Sequence, residues 1–171
     1  MRRCLAALLV VAGCSSPSVE QFAGTTPVFD PLVFFTGHVT SWGVIEDRGA
    51  APTSQITTDC RGVLESPDTL RMDQQLTEGG KTRTRTWRLR RVTPTHFEAT
   101  ADDIVGGASG YVAGRVFHWR YTLALEPGNS LKNVGFDQWM YFEEDGSMLN
   151  RATISKLGVT LAHVTEHFRH V

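Results

Sequence analysis

From Leu32 onward the chain alternates apolar and polar residues with a period of two, and no stretch holds a 3.6-residue period long enough to make a persuasive helix. Phe117, Trp119, Tyr121, Leu123 and Leu125 alternate with His118, Arg120, Thr122 and Ala124, the signature of a strand with two different faces. Arg83, Arg85, Trp87 and Leu89 alternate in the same way with Thr82, Thr84, Thr86, Arg88 and Arg90. Gly79-Gly80 must turn, and Asp145-Gly146 between two apolar runs is a hairpin signal. The pattern predicts strands over 33–46, 54–65, 68–77, 82–92, 95–103, 111–125, 134–143, 147–156 and 158–169. Short connections make neighbours antiparallel, and strands without crossover helices must close or stack to hide their edges. The expected fold is all-β: a single antiparallel up-and-down β-barrel of about 8–10 strands, of the lipocalin or calycin kind. A β-sandwich is the alternative. With 41% hydrophobic and 20% charged residues and a formal net charge of −1, the chain is neither disordered nor a multi-span membrane protein.

The N-terminus carries an address. Arg2 and Arg3 precede an apolar run from Leu5 to Ala12, too short to span a bilayer, and Val11-Ala12-Gly13-Cys14 then matches the lipobox of bacterial lipoproteins, in which the cysteine is acylated and becomes the first mature residue. The expected organisation is a signal peptide over 1–13, a lipidated Cys14 with a flexible Ser/Pro/Thr-rich tether over 14–30, and a barrel domain over 31–171. Cleavage takes Lys+Arg from 17 to 15 against 18 acidic residues, a net charge of −3 that argues against nucleic acid or anionic lipid as an electrostatic partner. Acyl chains would hold the membrane instead, and Ser15 after the cysteine follows the pattern of lipoproteins sent to the outer membrane, facing the periplasm. With Cys4 removed and Cys14 acylated, only Cys60 remains, so no internal disulfide can form; Cys60 reads as a small core residue.

Three motifs invite chemistry. His163-Val164-Thr165-Glu166-His167 fits a zinc-peptidase pattern, but the segment reads as a strand, which turns Glu166 to the face opposite His163 and His167; surface histidines on a final edge strand are the better account. Gly106-Gly107-Ala108-Ser109-Gly110 lacks the lysine of a phosphate loop and the second glycine of a nucleophile elbow, leaving a glycine-rich connection or bulge at a barrel corner. The basic run from Lys81 to Arg91 spreads its charges over both faces of a strand, so most of them should be solvated or paired with acids, with Arg85 and Trp87 the ones to point inward. No metal site and no cofactor are implied.

Several phrases read in order resemble one family, the bacterial lipoproteins catalogued as domain of unknown function 3833 (DUF3833). They include Phe35-Thr36-Gly37, Trp42-Gly43, Asp47-Arg48-Gly49, Arg85-Thr86-Trp87, Asp102-Asp103-Ile104-Val105-Gly106, Trp119-Arg120-Tyr121, Phe136-Asp137-Gln138-Trp139-Met140, Asn150-Arg151-Ala152 and Lys156-Leu157-Gly158-Val159. The resemblance covers residues 33–169 and implies a small exported β-domain, encoded beside enzymes that modify fatty acyl chains. Within those phrases the candidate ligand-binding residues are Trp42, Arg85, Trp87, Asp103, Trp119, Tyr121, Asp137, Trp139, Asn150 and Lys156. Tryptophans mid-strand with a few convergent charges suit a lumen that holds an amphipathic molecule, its apolar body on the rings and its headgroup on a cation. The leading expectation is therefore a monomeric, lipid-anchored barrel that binds or carries an apolar small molecule such as a fatty acyl species. A filled barrel plugged by an ion-pair network, displaying a surface to an envelope partner, is the competing expectation. Catalysis would have to rest on a single buried acid such as Asp103 or Asp137.

Overall fold

The computed structural model describes residues 17–171, so Cys14, its lipobox and the signal segment lie outside the described residues. Ten strands follow in order: β1 (Gly37–Asp47), β2 (Pro52–Ser66), β3 (Thr69–Glu78), β4 (Lys81–Arg91), β5 (His96–Thr100), β6 (Ile104–Ala113), β7 (Val116–Ala124), β8 (Asn133–Phe142), β9 (Met148–Lys156) and β10 (Val159–His170). Each pairs antiparallel with its neighbours in sequence, and β10 returns to β1, from Val39 opposite His170 to Asp47 opposite Ala162. The expected up-and-down β-barrel is the fold, and the sandwich is not. The last strand is paired on both sides, so the expectation of an edge strand is corrected: closing the barrel is what gives β10 its second partner.

The strand missed in the sequence is β6. Its Gly106 and Gly107 lie at φ 70° and 87°, in the left-handed region that glycine enters at no steric cost, and they form a bulge where the register with β7 shifts between Val105 and Ser109. The glycines therefore mark a bulge within a strand rather than a connection. The predicted 111–125 strand correspondingly divides into the end of β6, a turn at Gly114 and β7.

A second correction concerns the N-terminal side. Residues 33–35, expected in the first strand, belong to a short helix α1 (Pro31–Phe34) and its C-terminal cap. Asp30 caps it by accepting from the Leu32 and Val33 amides at 3.0 and 3.5 Å, and Pro31 supplies the fixed φ that suits a first helical position. Upstream, a 3-10 turn (Val19–Phe22) and the chain to Asp30 are packed on the barrel rather than forming a free tether: Val19 and Phe29 are buried, and the Phe22 ring meets Tyr141 at 5.8 Å. Apolar side chains in this stretch, which a tether would not carry, drive that packing.

One end of the barrel is filled as a result. Phe29, Phe34 and Phe35 enter it and meet Phe117, Phe142 and Phe168 at ring-centroid distances of 5.4–6.2 Å. The same end holds Cys60, Leu70, Leu89, Phe97 and Met148, all buried. The wall is incomplete toward the other end. Strand β5 reaches β4 only from Arg88 to Arg91, so Lys81–Trp87 are paired on the β3 side alone. Across that gap the Arg85 guanidinium meets the Asp103 carboxylate at 2.9 Å.

Candidate functional site

Above the phenylalanine plug the strands enclose a cavity of about 240 Å³ that opens at the end opposite α1. Its floor is polar, its walls are apolar and aromatic, and its rim carries Glu78 and Arg83. Alternation supplies the walls. Trp87 on β4, Trp119 and Tyr121 on β7 and Phe136 on β8 all take the inward position of their strands. Their rings meet in series: Trp87 to Trp119 at 5.0 Å, Trp119 to Tyr121 at 5.4 Å, and Tyr121 stacked on Phe136 at 4.9 Å. Gly110 on β6 makes room for this, because a Cβ there would overlap the Trp119 Cβ and come within 2.7 Å of the Phe117 ring.

A chain of hydrogen bonds crosses the floor. The Trp119 indole donates to Gln138 Oε1 at 2.8 Å, Gln138 Nε2 donates to Asn150 Oδ1 at 3.4 Å, and Asn150 Nδ2 donates to Glu166 Oε2 at 3.2 Å. On the other carboxylate oxygen, Glu166 Oε1 accepts from the Ser41 and Thr58 hydroxyls at 2.7 and 2.9 Å. An indole N–H can only donate, so Trp119 fixes the direction of both amides and makes Glu166 Oε2 an acceptor. Glu166 is 6% exposed, and among the described residues no cation lies within ion-pair distance of it. Burial pushes its pKa up, with the bonds from Ser41, Thr58 and Asn150 pulling the other way. Burial also pushes the Cys60 thiol up to about 12, with the nearby Glu166 and Asp59 charges adding to it, which suits an inert core cysteine. The Tyr121 hydroxyl is likewise held neutral by burial, with the Arg85 charge the main opposing influence.

Of the ten sequence candidates, Arg85, Trp87, Trp119 and Tyr121 line this cavity, and Asn150 stands behind its floor, joined to it through Glu166. Asp103 sits at the gap in the wall, where it holds Arg85 while its Oδ1 is buried without a hydrogen-bond partner. Four candidates do not join them. Trp42 lies on the outer face at 46% exposure, against His167 and under the Arg169 guanidinium. Trp139 also faces outward, stacked on His118 at 3.9 Å. Asp137 shares that outer face and accepts from His118 and Arg120 at 2.9 and 2.6 Å; burial raises its pKa, but these two bonds and charges outweigh that and hold it low. Lys156 has the inward parity of Asn150 but stands at the rim, where its ammonium donates to the Leu131 carbonyl. For Trp42, Trp139 and Lys156 a large amphipathic side chain finds a polar partner on the surface, and Asp137 is held there by His118 and Arg120, so a mid-strand position alone did not place them in the lumen.

Sequence reasoning missed the residues that make the floor: Glu166, Gln138, Ser41 and Thr58. The signal was present for Glu166, which alternates in phase with Val164 and Phe168, both buried. The zinc-like motif is resolved by the same parity, with Glu166 inside and His167 outside against Trp42.

A family model described as a protein of unknown function (DUF3833) matches residues 8–170. No curated protein matches the sequence. Among solved structures, the chain is similar to the S-type phycobiliprotein lyase of Guillardia theta, with a TM-score of 0.57 and 8% identity, over 89% of this chain and 96% of that one. At that identity the likeness is one of fold.

Proposed function

This chain belongs to the DUF3833 family of proteins of unknown function, and from its lumen we propose that it binds and carries an apolar small molecule, with a fatty acyl species as the candidate class. The observation that carries this reading is the cavity itself: the barrel is plugged at one end only, and the remaining space of about 240 Å³ is walled by aromatic and aliphatic side chains. A purely structural barrel would gain by filling that space, since unfilled volume forfeits dispersion contacts. The fold shared with a phycobiliprotein lyase supports a ligand-holding barrel, without importing that enzyme's chemistry. An acyl chain would lie along Trp87, Trp119 and Phe136, each methylene removed from water contributing about 0.8 kcal/mol.

The lipobox supports the further proposal that acylated Cys14 anchors a monomeric protein to the outer membrane on its periplasmic side. The ligand reading is tested by stripping bound lipid from the full chain and titrating laurate while following tryptophan fluorescence, with mass spectrometry on the extracted lipid. Saturable change in the emission of Trp87 and Trp119, and acyl species in the extract, are expected. A flat titration together with an empty extract would leave the lumen without a ligand role.

A further inference from the structure

The floor of the lumen has a chemistry that an apolar chain does not use. Three donors converge on the Glu166 carboxyl, and the direction of the chain from Trp119 makes Oε2 an acceptor toward Asn150. A carboxylate offers about four acceptor positions, of which Ser41, Thr58 and Asn150 occupy three. The fourth is on Oε2, and Glu166 lines the cavity. Among the described residues the cations lining the lumen are Arg83, exposed at the rim, and Arg85, partly buried, which is engaged by Asp103 and lies against Trp87. The floor is therefore an acceptor site with a charge that no protein cation among the described residues balances.

We propose that Glu166 is a ligand-binding residue that receives the ammonium group of an amphiphile whose apolar chain fills the aromatic lumen above it, an inference that rests on the ligand-holding reading of the barrel. An ammonium supplies both the missing donor and the missing charge, and a charged hydrogen bond in a water-poor site is stronger than a neutral one. A carboxylate at the same depth would meet like charge and an acceptor, so a fatty acid would have to sit the other way round, with its head at the rim near Arg83. The floor thus selects the polar end of the ligand, while the wall tolerates any chain.

Three probes of one chain length separate these possibilities: dodecylamine, dodecanol and laurate, each titrated below micelle formation into the full chain and into Glu166→Gln. The glutamine keeps the shape and an oxygen for Asn150 but removes the charge. Dodecylamine is expected to bind the unaltered chain most tightly and to lose about 10- to 100-fold in Glu166→Gln, while dodecanol is unchanged and laurate gains or is unchanged. Asp137→Asn, on the outer face, should bind all three like the unaltered chain. Equal affinity for the amine and the alcohol, or an amine affinity untouched by Glu166→Gln, overturns the assignment of Glu166 while leaving the lumen a binding site. Binding of no probe overturns both. Should Glu166→Gln fail to fold, the order of the three probes on the unaltered chain decides.

Discussion

Glu166 is held at the lumen floor by Ser41, Thr58 and Asn150, and burial dominates its titration. Its pKa in the fold is raised, so its contribution to stability is fully present below its unfolded value of about 4.3 and is lost as pH rises through the folded value. The ionisable groups facing it, Cys60 from β2 and Tyr121 from β7, are themselves held neutral by burial and add no competing step near neutrality. Glu166→Gln should therefore melt above the unaltered chain by a margin that widens from pH 4 toward pH 8, followed by circular dichroism. A margin constant with pH would mean that the carboxyl titrates alike in the folded and unfolded states, so that burial does not raise its pKa. Gly110 offers a second test. Adding a methyl there intrudes on Trp119, Phe117 and the His118 carbonyl, so Gly110→Ala should cost about 1–3 kcal/mol in urea denaturation and shift the tryptophan emission; an unshifted spectrum would mean the wall yields elsewhere. Residue by residue, the alternation of Phe117, Trp119 and Tyr121 made the aromatic wall legible. What it could not supply was the pairing of His118 with Trp139, which places that tryptophan on the outside face.

The elements were legible where their period was clean and hidden where a turn residue interrupted it. Strands β7 to β10 follow from alternation, while β6 is broken by Gly106 and Gly107, whose left-handed backbone looks in sequence like the end of a strand. Helix α1 is one turn long, too short to show a period, and its existence rests on Asp30 and Pro31. Asp30 does two things, capping the helix with Oδ1 and accepting from Arg91 at 2.8 Å with Oδ2. Asp30→Ala removes both and leaves a half-buried guanidinium whose Nε makes no hydrogen bond and has only the Asp68 carboxylate at 3.6 Å, so a loss of about 1–2 kcal/mol is expected by urea denaturation. Because α1 closes the end opposite the mouth, ligand affinity in the still-folded variant should be unchanged. A fall in affinity at constant secondary structure would show that the plug sets the depth of the cavity.

At the scale of the molecule, the plug and the mouth lie at opposite ends, and the N-terminal segment joins the plug end: Phe29 donates its amide to the Gly114 carbonyl, and Phe22 lies against Tyr141. Val19 lies five residues beyond Cys14, a reach of about 17 Å at full extension, against about 30–40 Å for a barrel of strands this long. With acyl chains on Cys14, as proposed, the tether is too short for the mouth to rest on the anchoring membrane. The plug end must sit nearer the bilayer, and a ligand would leave toward the aqueous side or an opposing partner, not into the leaflet that holds the anchor. Single cysteines for labelling can be placed at Val33→Cys on α1 and at Leu157→Cys in the turn between β9 and β10, both exposed in the fold. Cys60 is fully buried and Cys14 would be acylated, so a maleimide fluorophore reports on the chosen site. On vesicles carrying nitroxide lipids, the label at position 33 should be quenched more strongly than the label at 157, and Cys14→Ser should abolish both effects by moving the protein to the soluble fraction. Stronger quenching at 157 would reverse the orientation and put the mouth on the membrane.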